Sequence, residues 1–275
     1  MRILITNDDG INAGGLRPLV KCLRPFGELL IVAPKTPQSG MSMAVTMGYR
    51  PIAVKHLRSG QGEDWWYLDG TPASCVKYGL DNILWPEKPD LVVAGVNYGS
   101  NAATASIYSG TVGAAMEGAV NGVPSIAVSL DDFSPDADFS IVEEMLPSIL
   151  ERLIPNLSGR YGEFYNINFP AVPAAEAKGV RLTCMGKGHW EKEYRDFGEF
   201  LVERGRKPTA GDERYLAAAD PDEKIVVMAG DFVSREGNPE DADHLLLQQG
   251  WVTVTPGNID NTDYAEIKRL CDTIL

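Results

Sequence analysis

Histidine is scarce in this 275-residue chain: only His56, His189 and His244 occur, with no HxH or HxxxH spacing among them. That excludes a histidine-rich metal centre in practice. Cysteine is equally sparse, with Cys22, Cys75, Cys184 and Cys271 scattered and no CxxC pair. Such thiols fit reduced side chains of a cytoplasmic protein better than a disulfide frame or a zinc site. Basic residues are outnumbered, 25 against 38 acidic, for a formal charge of −13. A surface this negative repels phosphate backbones, so no nucleic-acid duplex is expected as a partner. A small phosphate ester stays open, because local donors or a cation can reverse the field at one site. No apolar run approaches the ~18 residues of a membrane span, and MRILITNDDG does not read as a secretory leader. The expectation is a cytoplasmic protein without a membrane partner. The GxSxG elbow, the GxxxxGK loop and the GxGxxG fingerprint are all missing, which removes the usual marks of several large enzyme classes.

What remains is ordinary globular material, 44% apolar and 23% charged, long enough for one large domain or a domain with a sizeable extension. The first 170 residues alternate. Arg2–Thr6, Glu28–Ala33, Leu91–Val96, Ser125–Leu130 and Gly162–Phe169 read as apolar strands, and Trp65-Trp66-Tyr67 as core strand. Between them lie helical stretches near Leu16–Phe26, from Thr71-Pro72 towards Trp85, at Gly110–Val120 and at Glu143–Leu153. Apolar strands alternating with helices predict a doubly wound α/β core, a mostly parallel Rossmann-like sheet covered on both faces, over residues 1–170. Residues 171–250 are rich in charge, glycine and proline, with one strand expected at Lys224–Met228. They read as an irregular or β-rich extension, closed by a strand at Trp251–Thr255 and a final helix at Asp263–Thr273. Residues 171–275 are expected to serve as an oligomerisation element.

Ligands of doubly wound sheets bind at the carboxyl ends of the strands, and chemistry-bearing residues gather there. Asn7-Asp8-Asp9-Gly10 ends the first strand. Two adjacent carboxylates repel each other unless a hard cation sits between their oxygens, although Asp-Asp-Gly is also a common turn. Pro37-Gln38-Ser39-Gly40-Met41-Ser42 follows the second strand and can present a hydroxyl and several N–H groups, or be a plain polar connection. Gly95-Val96-Asn97-Tyr98-Gly99-Ser100-Asn101 follows the central strand. Its glycines allow close backbone approach, and asparagine oxygens suit a metal without adding charge. Tyr108-Ser109-Gly110-Thr111 opens a helix, where free N–H groups and the helix dipole favour an anion, or where Ser109 simply caps. Oxygen ligands, a glycine-rich cradle and a helix N-terminus together match phosphoryl transfer to water. No histidine or cysteine nucleophile is at hand, which leaves a water activated by the cation or, second, an aspartate carboxylate.

The chain resembles the SurE family of survival proteins, metal-dependent nucleotidases and phosphatases. The resemblance is carried by Asn7-Asp8-Asp9-Gly10; by Ser39, Gly40, Ser42 and Thr46; and by Asp69-Gly70-Thr71-Pro72. It continues through Gly95, Asn97, Gly99 and Asn101, Ile107–Val112, Ala114–Gly118, Asn166, Asn168 and Pro170, and Val252–Pro256. It implies one divalent cation per subunit, magnesium or manganese, held by Asp8, Asp9, Ser39 and Asn97. It also implies a phosphate site at Ser109, Gly110 and Thr111 with Asn101 nearby, catalysis by Asp8 and Asp9 with Asp8 as nucleophile or base, and hydrolysis of nucleoside 5′- or 3′-monophosphates. Dimers or tetramers with an exchanged C-terminal extension are implied as well. Two departures stand out. Ala103-Thr104-Ala105 replaces a Gly-Asp/Glu-Asp segment, whose acids would sit on the rim of the site. Ala13-Gly14-Gly15 stands where a proline before glycine is usual. A paralogue that binds without turnover is one alternative. A magnesium-binding phospho-signalling or nucleotide-sensing module is another, disfavoured because the central strand ends in Asn97 instead of a phosphoacceptor aspartate.

Overall fold

The computed structural model describes residues 1–48 and 50–274. Its centre is a nine-stranded sheet. The strands are β1 (Arg2–Thr6), β2 (Glu28–Pro34), β3 (Val54–Gly60), β4 (Glu63–Leu68), β5 (Leu91–Tyr98), β6 (Ser125–Leu130), β7 (Glu163–Phe169), β8 (Val180–Leu182) and, last in the chain, β13 (Val252–Asn258). They lie side by side in the order β3-β4-β2-β1-β5-β6-β7-β13-β8. The run from β4 through β2, β1, β5 and β6 to β7 is parallel throughout. β3 pairs antiparallel with β4, and β13 antiparallel with β7. The doubly wound sheet expected from the sequence is therefore present, with antiparallel additions at both flanks.

Helices cover both faces. On one lie α1 (Leu16–Leu23) and α5 (Ser140–Leu153), packed against each other; on the other lie α2 (Pro72–Tyr78) and α4 (Gly110–Val120). A single turn, α3 (Ala105–Tyr108), leads into α4. The side-chain alternation of a strand explains the split between the faces. Ile3 and Ile5 of β1 join the cluster that holds Leu19, Leu23, Val142 and Leu146, while Leu4 joins Val76, Leu80 and Ala114. Thr71 caps α2 as the sequence predicts, its side chain accepting from the Ser74 N–H with Pro72 in the first turn. The chain leaves β1 towards β2 on one side and returns to β5 on the other, so the order reverses between β1 and β5. A crevice opens at such a switch point, and the two acidic and asparagine-bearing strand ends flank it.

Beyond residue 170 the sequence pattern is less specific. Residues 1–186 and 239–275 form one compact unit and residues 187–238 a second. The closing strand β13 and the short helix α8 (Asp243–Gln248) belong to the first unit, as does α9 (Tyr264–Ile274). The second unit contains two antiparallel pairs, β9 (Gly188–Glu191) with β12 (Asp231–Ser234) and β10 (Tyr194–Asp196) with β11 (Val226–Met228). It also holds α6 (Phe197–Glu203) and α7 (Ala210–Ala218), which the charge- and glycine-rich composition conceals. Their caps do carry a local signal: Asp196 caps α6, and Thr209 with Asp212 forms a capping box on α7.

Candidate functional site

Asp8 and Asp9 stand at the end of β1 in a turn closed by Asn7. The Asn7 Oδ1 accepts from the Gly10 N–H at 3.1 Å and its Nδ2 donates to the Gly10 carbonyl at 3.0 Å. Gly10 has φ +98°, and a Cβ there would lie 3.3 Å from the Pro34 carbonyl oxygen, so the turn and the end of β2 fit together only around glycine. The Gln38 N–H donates to the Asp8 carbonyl at 2.7 Å, which ties the loop carrying Ser39 to the same turn.

Asp8 is buried, at 3% exposure, and its principal side-chain partner is a hydroxyl: Thr111 Oγ1 donates to Oδ1 at 2.5 Å. Burial pushes the Asp8 carboxyl up, and the Thr111 hydrogen bond offsets part of that rise. Asp9 is half-buried and accepts from the Tyr98 N–H at 3.4 Å. Burial, and then the charge of Asp8, push its carboxyl up to about 7. Among the described residues no lysine, arginine or histidine forms a salt bridge with either aspartate.

β5 delivers the third donor by a bulge. Its register with β6 shifts between Ala94 and Asn97. Gly95 there has φ +139°, and a Cβ would stand 2.2 Å from the Val128 carbonyl oxygen. Asn97, 9% exposed, donates Nδ2 to the carbonyls of Gly99 (2.7 Å) and Tyr98 (3.1 Å), which leaves its Oδ1 available as a ligand. Gly15 lies against this bend: a Cβ would meet the Val96 carbonyl oxygen at 2.1 Å, a packing reason for the Gly14-Gly15 pair.

The N-terminus of α4 completes the cluster. Ser109 caps it, its hydroxyl accepting from the Val112 N–H at 3.1 Å. Gly110 sits so close to Asp8 that a Cβ would be 3.0 Å from the Asp8 Cβ and 3.1 Å from its Oδ2. One turn on, a Cβ at Gly113 would be 2.0 Å from the Ser42 carbonyl oxygen, and Ser42 Oγ donates to the Ile107 carbonyl at 2.8 Å. Segments 7–10, 38–42, 97–99 and 109–113 thus converge on one carboxylate pair. Ser39, next to Gln38 in the loop tied to this turn, is exposed and makes no hydrogen bond among the described residues.

Asn101 is placed differently. It is buried, with its Nδ2 donating to Ser129 Oγ (2.8 Å), its N–H to Asn168 Oδ1 (2.8 Å) and its carbonyl accepting from Asn166 Nδ2 (2.8 Å). These bonds lace the loop after β5 to β6 and β7. Ala103, at the glycine position of the altered segment, is fully buried with φ +52°, whereas Thr104 and Ala105, at the positions of the missing acids, are half-buried. Its N–H reaches both carboxylate oxygens of Asp243 at 3.0 Å. Asp243, buried at 0% exposure, also accepts from the N–H groups of Gly186 and His244. Nothing in the local sequence singles out Asp243; only the fold brings it to the site loop. Asn7 and Asn168 are visible in the sequence as motif residues, but their hydrogen-bonding roles are not. His244 is buried on α8 and His189 lies in the second unit on β9.

The donor set tests well against a hard divalent cation. Two carboxylates without a counter-ion, a free amide oxygen and a free hydroxyl are all oxygen ligands. No group of three or more His, Cys, Asp or Glu side chains forms a metal cluster among the described residues, so a cation held by Asp8 and Asp9 would take its other ligands from neutral oxygens or water.

The family model for survival protein SurE matches residues 3–192. The chain belongs to the SurE family. Curated SurE relatives agree along nearly the whole length. The 5′-nucleotidase SurE of Bacteroides fragilis is 37% identical over 95% of this chain and 93% of its own. That of Cytophaga hutchinsonii is 36% identical over 98% and 95%. Among solved structures, the SurE protein from Aquifex aeolicus superposes with a TM-score of 0.76 at 28% identity, covering 98% of both chains. The resemblance to the SurE family thus holds, as does the doubly wound fold expected from the strand and helix pattern.

Proposed function

We propose that this SurE-family protein is a metal-dependent phosphomonoesterase that hydrolyses nucleoside 5′-monophosphates, with nucleoside 3′-monophosphates as a second class, to nucleoside and phosphate. The observation that carries the reading is the uncompensated Asp8–Asp9 pair, clamped by Thr111 at the N-terminus of α4 at the switch point of the sheet. The nucleotide class comes from the 5′-nucleotidase relatives. Asp8, Asp9, Ser39 and Asn97 would hold one magnesium or manganese ion. When bound, such an ion neutralises phosphate charge and activates water.

The chain's own residues do the rest. Thr111 fixes Asp8 in one orientation, and the Tyr98 N–H steadies Asp9. The N–H of Gly110 precedes the first α4 hydrogen bond, from Gly113 to Ser109, and is free in the manner of first-turn donors to meet a phosphate oxygen. Ser109 and Gly110 therefore orient the ester, while Thr111 acts on it through Asp8. Asp8, buried and hydrogen-bonded, suits holding the cation; Asp9, more open, suits accepting a proton from the attacking water.

Among the described residues no helix is long and apolar enough to cross a membrane. Cys22, Cys75, Cys184 and Cys271 are free thiols, which supports the cytoplasm as the site of action. The extension over 171–275 is proposed to build dimers or tetramers. The direct experiment is phosphate release from a panel of nucleoside 5′- and 3′-monophosphates after EDTA treatment, with magnesium or manganese restored. Activity returning only with metal is expected. A folded, metal-replete protein inert towards the whole panel would remove nucleotides as substrates.

A further inference from the structure

Phe133 is an exposed aromatic side chain at a strand end, 76% accessible, in the loop that follows β6. Large apolar side chains this open are ordinary when scattered singly, but this one is built into the rim of the site. Its ring lies on the backbone of Gly99: a Cβ at Gly99 would stand 2.1 Å from Phe133 Cε1 and 2.5 Å from Cζ. Only glycine, here with φ +92°, lets the ring settle there. The Gly99 carbonyl in turn accepts from Asn97 Nδ2 at 2.7 Å, and the neighbouring Tyr98 N–H meets Asp9 Oδ2 at 3.4 Å. Aspartate pair, asparagine loop and aromatic ring are therefore successive neighbours.

The loop is also held in shape. Ser100 Oγ donates to Asp131 Oδ1 at 2.7 Å, joining the β5 and β6 ends. The Asp131 N–H donates to the Phe169 carbonyl at 2.9 Å, and the Ser134 N–H to Asp132 Oδ1 at 2.8 Å. Asp132 and Ser134 close a turn around Phe133, and Asp131 ties that turn to the ends of β5 and β7, so the ring is presented and not merely loose. An anchored ring with one side on glycine backbone and most of its surface in water suits face-on stacking of a planar ring.

We propose that Phe133 is the nucleobase platform of this site, taking a purine or pyrimidine face-on while the phosphate lies at Asp8, Asp9 and the α4 N-terminus. This rests on the nucleotidase reading above. Stacking is tolerant of base identity, because every base has a π-face, so the platform confers preference for nucleotides over aliphatic phosphate esters and little choice among bases.

The test compares the parent with Phe133→Ala, Phe133→Leu and Phe133→Trp on a purine nucleoside 5′-monophosphate and on glycerol phosphate, with magnesium or manganese present. Phe133→Ala and Phe133→Leu should raise KM for the nucleotide about tenfold, the scale of one stacked base, with kcat nearly unchanged. Phe133→Trp should keep the parental KM, and all three should leave glycerol phosphate hydrolysis unaltered. The exposed position should leave folding intact in all three variants, and an unchanged melting curve checks it. An unchanged nucleotide KM in Phe133→Ala, or equal losses on both esters, overturns the proposal. So does a Tyr108→Ala variant that raises nucleotide KM while Phe133→Ala does not, since that moves the platform to the exposed Tyr108 ring next to Ser109. Failure of the nucleotidase reading is separately visible: the parent itself would hydrolyse glycerol phosphate and no nucleotide.

Discussion

Asp9 carries the sharpest residue-scale consequences. Its folded-state pKa of about 7 lies above the ordinary 3.8, so the fold holds the Asp9 proton more tightly than the unfolded chain does. The resulting stabilisation is present below about pH 4 and is lost as pH rises through about 7. Carboxylates held below their ordinary range, such as Glu63 and Asp64, act in the opposite sense but below pH 4.5. Between pH 5 and pH 8 the EDTA-treated protein should therefore melt at progressively lower temperature, and saturating magnesium or manganese should flatten that decline. Calorimetry at pH 5 and pH 8, with and without metal, checks this; a metal effect equal at both pH values would contradict it. Asp9→Asn removes the like charge beside Asp8, so the metal-free variant should be at least as stable as the parent at pH 8. Its phosphatase turnover should nevertheless fall by about a hundredfold or more, the scale of losing one preorganised electrostatic group. Turnover within a few-fold of the parent would take Asp9 out of the metal site.

At the scale of elements, glycine contacts decide how closely α4 and the loops approach. In an exposed helix, Gly→Ala is worth up to about 1 kcal/mol of added stability. At Gly113 the sign should reverse, because the new Cβ meets the Ser42 carbonyl at 2.0 Å and backbone must move. Gly113→Ala should lower the denaturation midpoint and reduce turnover by displacing the Ser39 loop, whereas Gly122→Ala tests φ strain alone, with nothing within 4 Å. Helix α8 contributes through one side chain. Asp243→Ala leaves the N–H groups of Ala103, Gly186 and His244 without their buried acceptor, at a cost on the order of 3 kcal/mol. Urea unfolding measures it, and a loss under about 1 kcal/mol would mean that water replaces the carboxylate.

For the whole molecule, the formal charge of −13 and the site's demand for a cation act together. The negative field lowers the local concentration of anionic substrate, so raising ionic strength should improve kcat/KM for nucleotides until the cation itself is screened. The exposed apolar side chains of α9, Tyr264 and Ile267, support assembly through the C-terminal extension. Sedimentation of the intact chain should give a dimer or tetramer, and a species of about 30 kDa at micromolar concentration would rule that out.

Most of the fold and part of the site are legible in the residues themselves. Apolar strands β1, β2, β5, β6 and β7 and the caps Thr71 and Ser109 are local matters of periodicity and hydrogen-bonding chemistry, so the amino-acid sequence alone specifies them. The same holds for the grouping of Asp8, Asp9, Asn97 and Ser109–Thr111, since a parallel sheet must bring its carboxyl ends together. Helices α6 and α7 escape such a reading because polar, glycine-rich sequence carries little periodicity. Contacts between distant segments depend wholly on tertiary structure. Sequence cannot say that Thr111 points at Asp8, that Asn101 donates to Ser129 and Asn168, or that Asp243 holds Ala103 from 140 residues away. Nor can it lay Phe133 on Gly99. Local chemistry specifies which groups are available; packing, where a single Cβ can be excluded by a carbonyl oxygen 2.0 Å away, specifies which of them meet.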